Sequence, residues 1–305
     1  MNYYHKPVLL KESIDHLVTD KHGIYVDVTF GGGGHSYEIL KKLKDKAILI
    51  ALDKDYKAIQ NNSIIDKRFY LFHENFVHIK HMLKKLHIEK ISGLLADLGI
   101  SSTQIDDPER GFTHQKNCIL DMRMDQNNAY TAIDVLNKSS KEKLLQIFFD
   151  YGDFKNAKNI AEKILENRLK KPIITTFDLV NIFLRKKKSF KCRKRFFSRI
   201  FQAIRIEVNN EINVYKNLLF ESSSFIMKGG RLVILTYHSI EDRITKYFLK
   251  RGVFFNERIK REDQKIKNII LPFKMVCKKV IRPNRQEIIN NPRSKSAKLR
   301  IAEKL

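Results

Sequence analysis

Residues 24–36, IYVDVTFGGGGHS, constrain this chain more than any other stretch. Ile24, Tyr25, Val26 and Val28 form the β-branched and aromatic run of a buried parallel strand, and it leads straight into Gly31–Gly34. Without a Cβ, such a turn can take positive φ and lie against a ligand, and Ser36 is placed to cap a helix over Tyr37–Leu43. Strand, glycine turn and helix together make a nucleotide-cofactor cradle. The next strand, AILIALD, ends at Asp53, about twenty residues past the glycines, where a carboxylate can accept hydrogen bonds from both hydroxyls of a ribose.

The cradle alone does not name its ligand. A dinucleotide fingerprint is G-x-G-x-x-G, and counting from Gly31 or Gly32 its last glycine position holds Ser36 or Tyr37. Asp27, at the end of the first strand, puts an anion beside the turn, which repels a pyrophosphate and suits the cationic amino-acid and sulfonium end of S-adenosylmethionine. A methyl donor, a dinucleotide and a ligand-free tight turn stand as readings in that order.

Length and charge narrow the class. A chain of 305 residues has room for one α/β domain and a smaller module. No apolar run reaches the roughly 18 residues of a membrane span. The start, MNYYHKPVLL, lacks both the basic opening and the long apolar run of a signal peptide, so no membrane partner and a cytoplasmic location are expected. Cys118, Cys192 and Cys277 are too scattered for a disulfide framework or a zinc site, and His73, His78 and His81 have no carboxylate or thiol at ligand spacing, so no metal is expected. The net charge of +25 attracts polyanions. Drift in an AT-rich genome would spread lysines evenly, whereas RKKKSFKCRKRFFSR (185–199) gathers nine Lys or Arg and three phenylalanines with no acid. That concentration favours a nucleic-acid surface over a solvated face, with Lys186, Lys187, Lys188, Arg193, Lys194 and Arg195 as RNA contacts. Nothing in the sequence specifies an oligomeric state.

Beyond Asp53, helix (56–64), strand (69–73), helix (77–86) and strand (91–98) alternate, the pattern of a parallel sheet with helices on both faces. The last strand delivers Asp97 to the carboxyl edge of the sheet, at the switch point where open α/β sheets bind ligands. Ser101, Ser102 and Gln104 follow, as hydrogen-bonding groups for a base or an adenine or simply as turn residues. The loop 105–130 is too long and polar for a plain connection, and DMRMD, if extended, aligns Asp121, Arg123 and Asp125 as a charge network. From 131 the periodicity turns helical. Ser139 with Glu142 makes a capping box, Pro172 ends one helix, Thr175 starts another, and a long helix carrying Ile200, Ile204 and Val208 runs to a stop at Lys228-Gly229-Gly230. The organisation expected is a sheet domain, 1–104 and 201–305, with a loop and helical module, 105–200, inserted in it. RLVILTYHS (231–239) returns to the sheet and brings His238 and Ser239 to the same edge; without G-x-S-x-G the pair is no hydrolase site. The tail NPRSKSAKLRIAEKL reads equally as more basic surface or as an edge strand.

In order and spacing, HKPVLLKE, DVTFGGGGHS, LLADLGISSTQ, DDPERGF, LDMRMD, FQAIRIEVNNE, GGRLVILTYHSIEDR and NPRSKSAKLRIAEK resemble the motifs of the bacterial small-subunit (16S) ribosomal RNA cytosine-N4 methyltransferases, over nearly the whole chain. The resemblance implies an α/β fold, a Rossmann-like class I methyltransferase sheet with an inserted all-helical RNA-recognition domain. It implies S-adenosylmethionine as cofactor and a decoding-centre cytidine as target, with 16S rRNA or the small ribosomal subunit as partner. Carried over by motif, cofactor contacts fall on Gly33, Gly34, His35, Asp53, Phe76, Asp97 and Gln104. The chain departs from the family where Gly32 stands for a usual arginine, where TYHS stands for the usual SFHS, and where KCRKRFFSR stands for a frequent His-Pro-Ala-Thr stretch.

The exocyclic amine of cytosine is a poor nucleophile, because its lone pair is delocalised into the ring, so a hydrogen-bond acceptor must polarise it. Asp97 or the Gly99 to Ser102 backbone, which includes Ser101, is the expected acceptor, with His238 or the DMRMD carboxylates assisting. Spacing alone leaves ribose methylation open, since DLGI stands in place of the Asp/Asn-Pro-Pro-aromatic tetrad; the resemblance selects N4. The rival functions are a non-catalytic rRNA-binding assembly factor that keeps the fold and an NAD-dependent oxidoreductase.

Overall fold

The computed structural model describes residues 7–184, 190–254 and 271–305. The chain divides into two compact units, Met1–Gly99 with Asn213–Leu305, and Ile100–Ile212.

The first unit alternates helix and strand: α1 (Leu10–Leu17), β1 (Ile24–Asp27), α2 (Gly34–Lys42), β2 (Ile48–Asp53), α3 (Tyr56–Gln60), β3 (Phe69–His73), α4 (Ile79–Lys85) and β4 (Ile91–Asp97). The second unit holds α5 (Ser102–Asp106), α6 (Ala132–Lys138), α7 (Lys141–Gln146), α8 (Ala157–Arg168), α9 (Thr176–Phe183) and α10 (Phe190–Val208). The chain then returns to the first unit through α11 (Glu211–Phe225), β5 (Ile226–Thr236), α12 (Ser239–Arg251), β6 (Phe273–Met275), α13 (Arg285–Asn290) and β7 (Lys298–Lys304).

The seven strands form one sheet in the order β3-β2-β1-β4-β5-β7-β6. The first five are parallel, and β7 runs antiparallel to both β5 and β6. This is the Rossmann-like α/β sheet that the resemblance implies. Because neighbouring strand residues point to opposite faces, Val26, Ile50, Leu94 and Ile234 pack with Leu83, Leu218 and Phe248, while Tyr25, Leu49, Leu95 and Val233 pack with Ile14, Leu17 and Ile39. Both faces are apolar, which is why β1, β2 and β4 read as continuous hydrophobic runs and not as alternating ones.

Several expectations are corrected here. The helix after the glycines begins at Gly34 and not at Tyr37, with Gly33 as its N-cap, so Ser36 lies inside α2. The long helix of 190–225 is broken after Val208, where Asn210 has φ 49°, and Lys228-Gly229-Gly230 falls within β5. The tail forms β7, an inner strand whose Lys298 and Arg300 both pair with Asp242 at 2.7 Å, so those two charges are spent on the fold. Residues 100–104 and 201–212 belong to the helical unit, and not to the sheet domain as its spans anticipated. The reason is α10: its buried face, Ile200, Phe201, Ile204 and Val208, runs through that unit's core of Leu136, Leu144, Phe148, Ile160 and Leu179.

The 105–130 loop is part of the same core through Phe112, Leu120, Met122 and Met124. Arg110, 1% exposed, donates to the carbonyls of Arg123 and Met124, and Asn209 bridges Met122 and Met124 at 2.7 and 2.8 Å. Met122 has φ 60°, so DMRMD is not extended: Arg123 pairs with Asp121 at 2.7 Å and donates its other bonds to the carbonyls of Gln126 and Asn128. Ser140, one residue later than expected, caps α7. Among the described residues no helix is long and apolar enough to cross a membrane.

Candidate active site

The carboxyl edge of the sheet is built by short backbone locks. Val28 donates to the Leu95 carbonyl at 3.0 Å, Phe30 to that of Leu52 at 2.8 Å, and Leu98 to that of Leu235 at 3.0 Å, so the loops after β1, β2, β4 and β5 meet there. The glycine turn sits over this edge. Gly33 has φ 74°, and a Cβ on it would stand 2.8 Å from the Phe30 ring; a Cβ on Gly34 would meet Pro7 at 2.2 Å. Gly32 faces open space, with no atom within 4 Å of a Cβ, so a side chain there would meet no neighbour at its root.

Asp53 holds the turn. One oxygen accepts from Gly31 N and the other from Asp55 N, both at 2.8 Å. Burial raises the carboxyl above its ordinary range, against those two bonds. Each oxygen retains a second acceptor position, so the group fits a ribose diol laid across the turn. Phe76 stands three residues past β3, half-buried against the core, in the segment where Glu74 N donates to the Asp53 carbonyl at 3.0 Å. An open glycine turn, a diol acceptor and an aromatic face suit a nucleoside cofactor.

Asp27 does not face a ligand. It is 1% exposed, accepting from Ser36 Oγ at 2.7 Å and from Thr29 N at 3.1 Å, and burial raises its carboxyl. The anion expected beside the turn is instead an internal brace, which is also why Ser36 is not a cap.

Asp97 keeps a surface, its side chain 22% exposed. Its backbone N–H donates to Thr29 Oγ1 at 2.7 Å, and its Oδ1 accepts from Tyr237 Oη at 2.8 Å. Its Oδ2 lies 3.6 Å from His35 Nδ1. Burial pushes the carboxyl up to about 7, the Tyr237 hydrogen bond pulling against it and the Glu241 charge adding to it. His35 is 6% exposed, with Nε2 3.2 Å from the Val8 carbonyl. A carbonyl only accepts, so Nε2 carries the hydrogen and Nδ1 turns a lone pair toward Asp97. Burial holds this imidazole below its ordinary value, hence neutral.

His238 has a different task. As the N-cap of α12 it accepts from Glu241 N at Nδ1, 3.4 Å, while Nε2 lies 3.0 Å from Glu241 Oε1. The cap engages Nδ1, and the side chain is 8% exposed; Nε2, although near that carboxylate, makes no hydrogen bond among the described residues. Ser101 and Gln104 close a reciprocal capping box on α5 in the second unit. Ser102, at the first position of that helix, is 5% exposed with no hydrogen-bond partner for its Oγ among the described residues.

Of the basic candidates, Arg193, Lys194 and Arg195 are exposed near the start of α10, and Lys186, Lys187 and Lys188 lie outside the described residues. Two of the interleaved phenylalanines are packing groups: Phe196 stacks edge-on with Phe197 and with Phe154 and Phe183. Arg199 donates to the Gly152 carbonyl at 2.8 Å and covers the Phe154 ring.

Sequence reasoning missed Thr29, Ser36 and Tyr237 as the groups that fix Asp27 and Asp97. The Tyr237 signal was present, as the departure of TYHS from SFHS.

The family described as MraW methylase matches residues 2–305. The chain is 48% identical over 306 residues to the "Ribosomal RNA small subunit methyltransferase H" of Karelsulcia muelleri, covering 100% of this chain and 99% of that one. It is 46% identical to the protein of the same name from Flavobacterium johnsoniae, covering 99% and 98%. Among solved structures, an rRNA methylase from Streptococcus thermophilus is similar at 12% identity over 97% of this chain and 93% of that one, with a TM-score of 0.41.

Proposed function

From the premise that this chain belongs to the MraW methylase family, we propose that it methylates small-subunit (16S) ribosomal RNA on the exocyclic N4 amine of a decoding-centre cytidine. S-adenosylmethionine is its cofactor. The names of its full-length relatives support the substrate class, and the motif resemblance supports N4. The observation that carries the chemistry is Asp97, a partly exposed carboxyl at the switch point that burial brings to about 7.

Bound S-adenosylmethionine supplies a methyl group already made electrophilic by the sulfonium charge. The rest falls to the chain. Asp53 holds the ribose, Gly33, Gly34 and His35 give the backbone close approach, and Phe76 and Asp97 complete the contacts that the motifs imply on the first unit. Asp97 accepts a hydrogen bond from the target amine, which raises electron density on nitrogen, and takes its proton as the nitrogen is methylated. Ring-carbon methylation needs a thiolate nucleophile, and no cysteine belongs to the loops after β1, β2, β4 or β5. The amine pairs inside a helix, so the target cytidine must be unpaired or flipped to reach the edge. Arg193, Lys194 and Arg195, with Lys186, Lys187 and Lys188 of the same sequence run, supply phosphate contacts.

The test is transfer of labelled methyl groups from S-adenosylmethionine to small subunits that lack the modification. Label in the small-subunit RNA, lost at least about 100-fold in Asp97→Asn, is the expected result. RNA binding with no transfer under any condition would leave the assembly-factor reading instead.

A further inference from the structure

The carboxyl of Asp97 has a hydroxyl donor beside it. Tyr237 ends β5, and its hydroxyl reaches Asp97 Oδ1 at 2.8 Å; a phenylalanine, as in SFHS, has no such donor. The ring itself has a packing role, since a Cβ on Gly99 would lie 3.0 Å from it. The two parts of the side chain are therefore separable: the ring fills space, and the hydroxyl acts on Asp97 alone.

We propose that Tyr237 is a positioning residue for methyl transfer, its hydroxyl pinning Asp97 Oδ1 and favouring the ionised carboxylate, so that Oδ2 is the oxygen that takes the proton of the target amine. The proposal rests on the reading of Asp97 given above. A hydroxyl donating to Oδ1 stabilises the carboxylate over the acid. It also leaves the second oxygen without a bond from the phenol, 3.6 Å from His35 Nδ1, a contact too long to be a hydrogen bond. As nitrogen gains the methyl group it loses one proton to Oδ2, and the electron pair of the broken carbon–sulfur bond stays with sulfur. The phenol cannot serve as the proton acceptor, because burial and the Asp97 charge both raise it and keep it protonated.

Other charges also face this carboxyl. Glu241 from α12 raises it, His35 from α2 is neutral, Asp27 beside them on β1 is tied to Ser36 and Thr29, and Glu287 from α13 acts on Tyr237. None of these changes in Tyr237→Phe, so any shift in that variant reports the hydroxyl.

The experiment is a carbon-13 titration of the aspartate side chains in the full-length protein without cofactor or RNA, the Asp97 signal identified by its absence in Asp97→Asn. In Tyr237→Phe the Asp97 midpoint should move up by about one pH unit. A movement below about a third of a pH unit overturns the proposal. Single-turnover methyl transfer at saturating cofactor supplies the second readout, its acidic limb moving up with the carboxyl. If the carboxyl moves and the limb does not, the hold of Tyr237 on Asp97 stands, and the assignment of Asp97 as proton acceptor is what fails.

Discussion

At the scale of single residues, the site depends on a carboxyl kept out of water but not fully enclosed. Asp97 is useful as an acceptor only when ionised, so the single-turnover rate should climb about tenfold per pH unit below pH 7 and level off above it. A flat profile between pH 5.5 and 8.5 would remove Asp97 from the chemistry. The same shift has a stability consequence of the opposite sign to the usual aspartate. Its folded value lies above its unfolded one, so the folded state holds the proton more tightly and loses stability as pH rises toward 7. Asp97→Asn removes that penalty. Thermal unfolding should show it more stable than the wild type at pH 8, by on the order of 2 kcal/mol, with an advantage at pH 5 no more than about half as large. The glycines give a matched pair: Gly33→Ala, forced into φ 74° against Phe30, should cost about 1–2 kcal/mol and weaken cofactor binding. Gly32→Arg, facing open space, should stay within about 0.5 kcal/mol.

At the scale of elements, the helix ends decide which side chains are left for chemistry. α12 begins on His238, whose ring does the work of a cap, so Asn in its place should preserve both fold and turnover to within about threefold. Ala should cost about 1 kcal/mol in denaturant unfolding. A 100-fold loss of turnover in a well-folded His238→Asn would return the residue to the catalytic group. The sequence placed His238 at the right edge because strand length fixes where a residue emerges. It did not show that Nδ1 was committed to the cap, because an i,i+3 pair with Glu241 looks the same whether it caps or catalyses. Ser36 misled for a related reason. Ser beside a glycine turn is a good cap, and only the fold reveals a buried carboxylate 2.7 Å from its hydroxyl. The break after Val208 was invisible because Asn209 and Asn210 sit in an otherwise unbroken helical period.

At the scale of the whole molecule, the sheet was legible because its strands are buried on both faces and each is followed by its own helix. The edges of the helical unit were not, since α10 carries one apolar face across the boundary drawn from composition. The strongly basic composition is a property of the entire chain, +25 in 305 residues, but its effect on RNA should be local. Replacing Arg193, Lys194 and Arg195 by Gln should flatten the slope of log affinity against log salt by roughly 0.7 to 0.9 per lost phosphate contact. An unchanged slope would make that surface a bystander. The central claim is that the amine of a cytidine, and no other atom, receives the methyl group at the Asp97 edge. It is tested most directly by allowing the protein to act on unmodified small subunits, digesting their RNA to nucleosides and resolving the products by chromatography and mass. The account predicts N4-methylcytidine; a methyl group on the ring carbon or the ribose oxygen would contradict it.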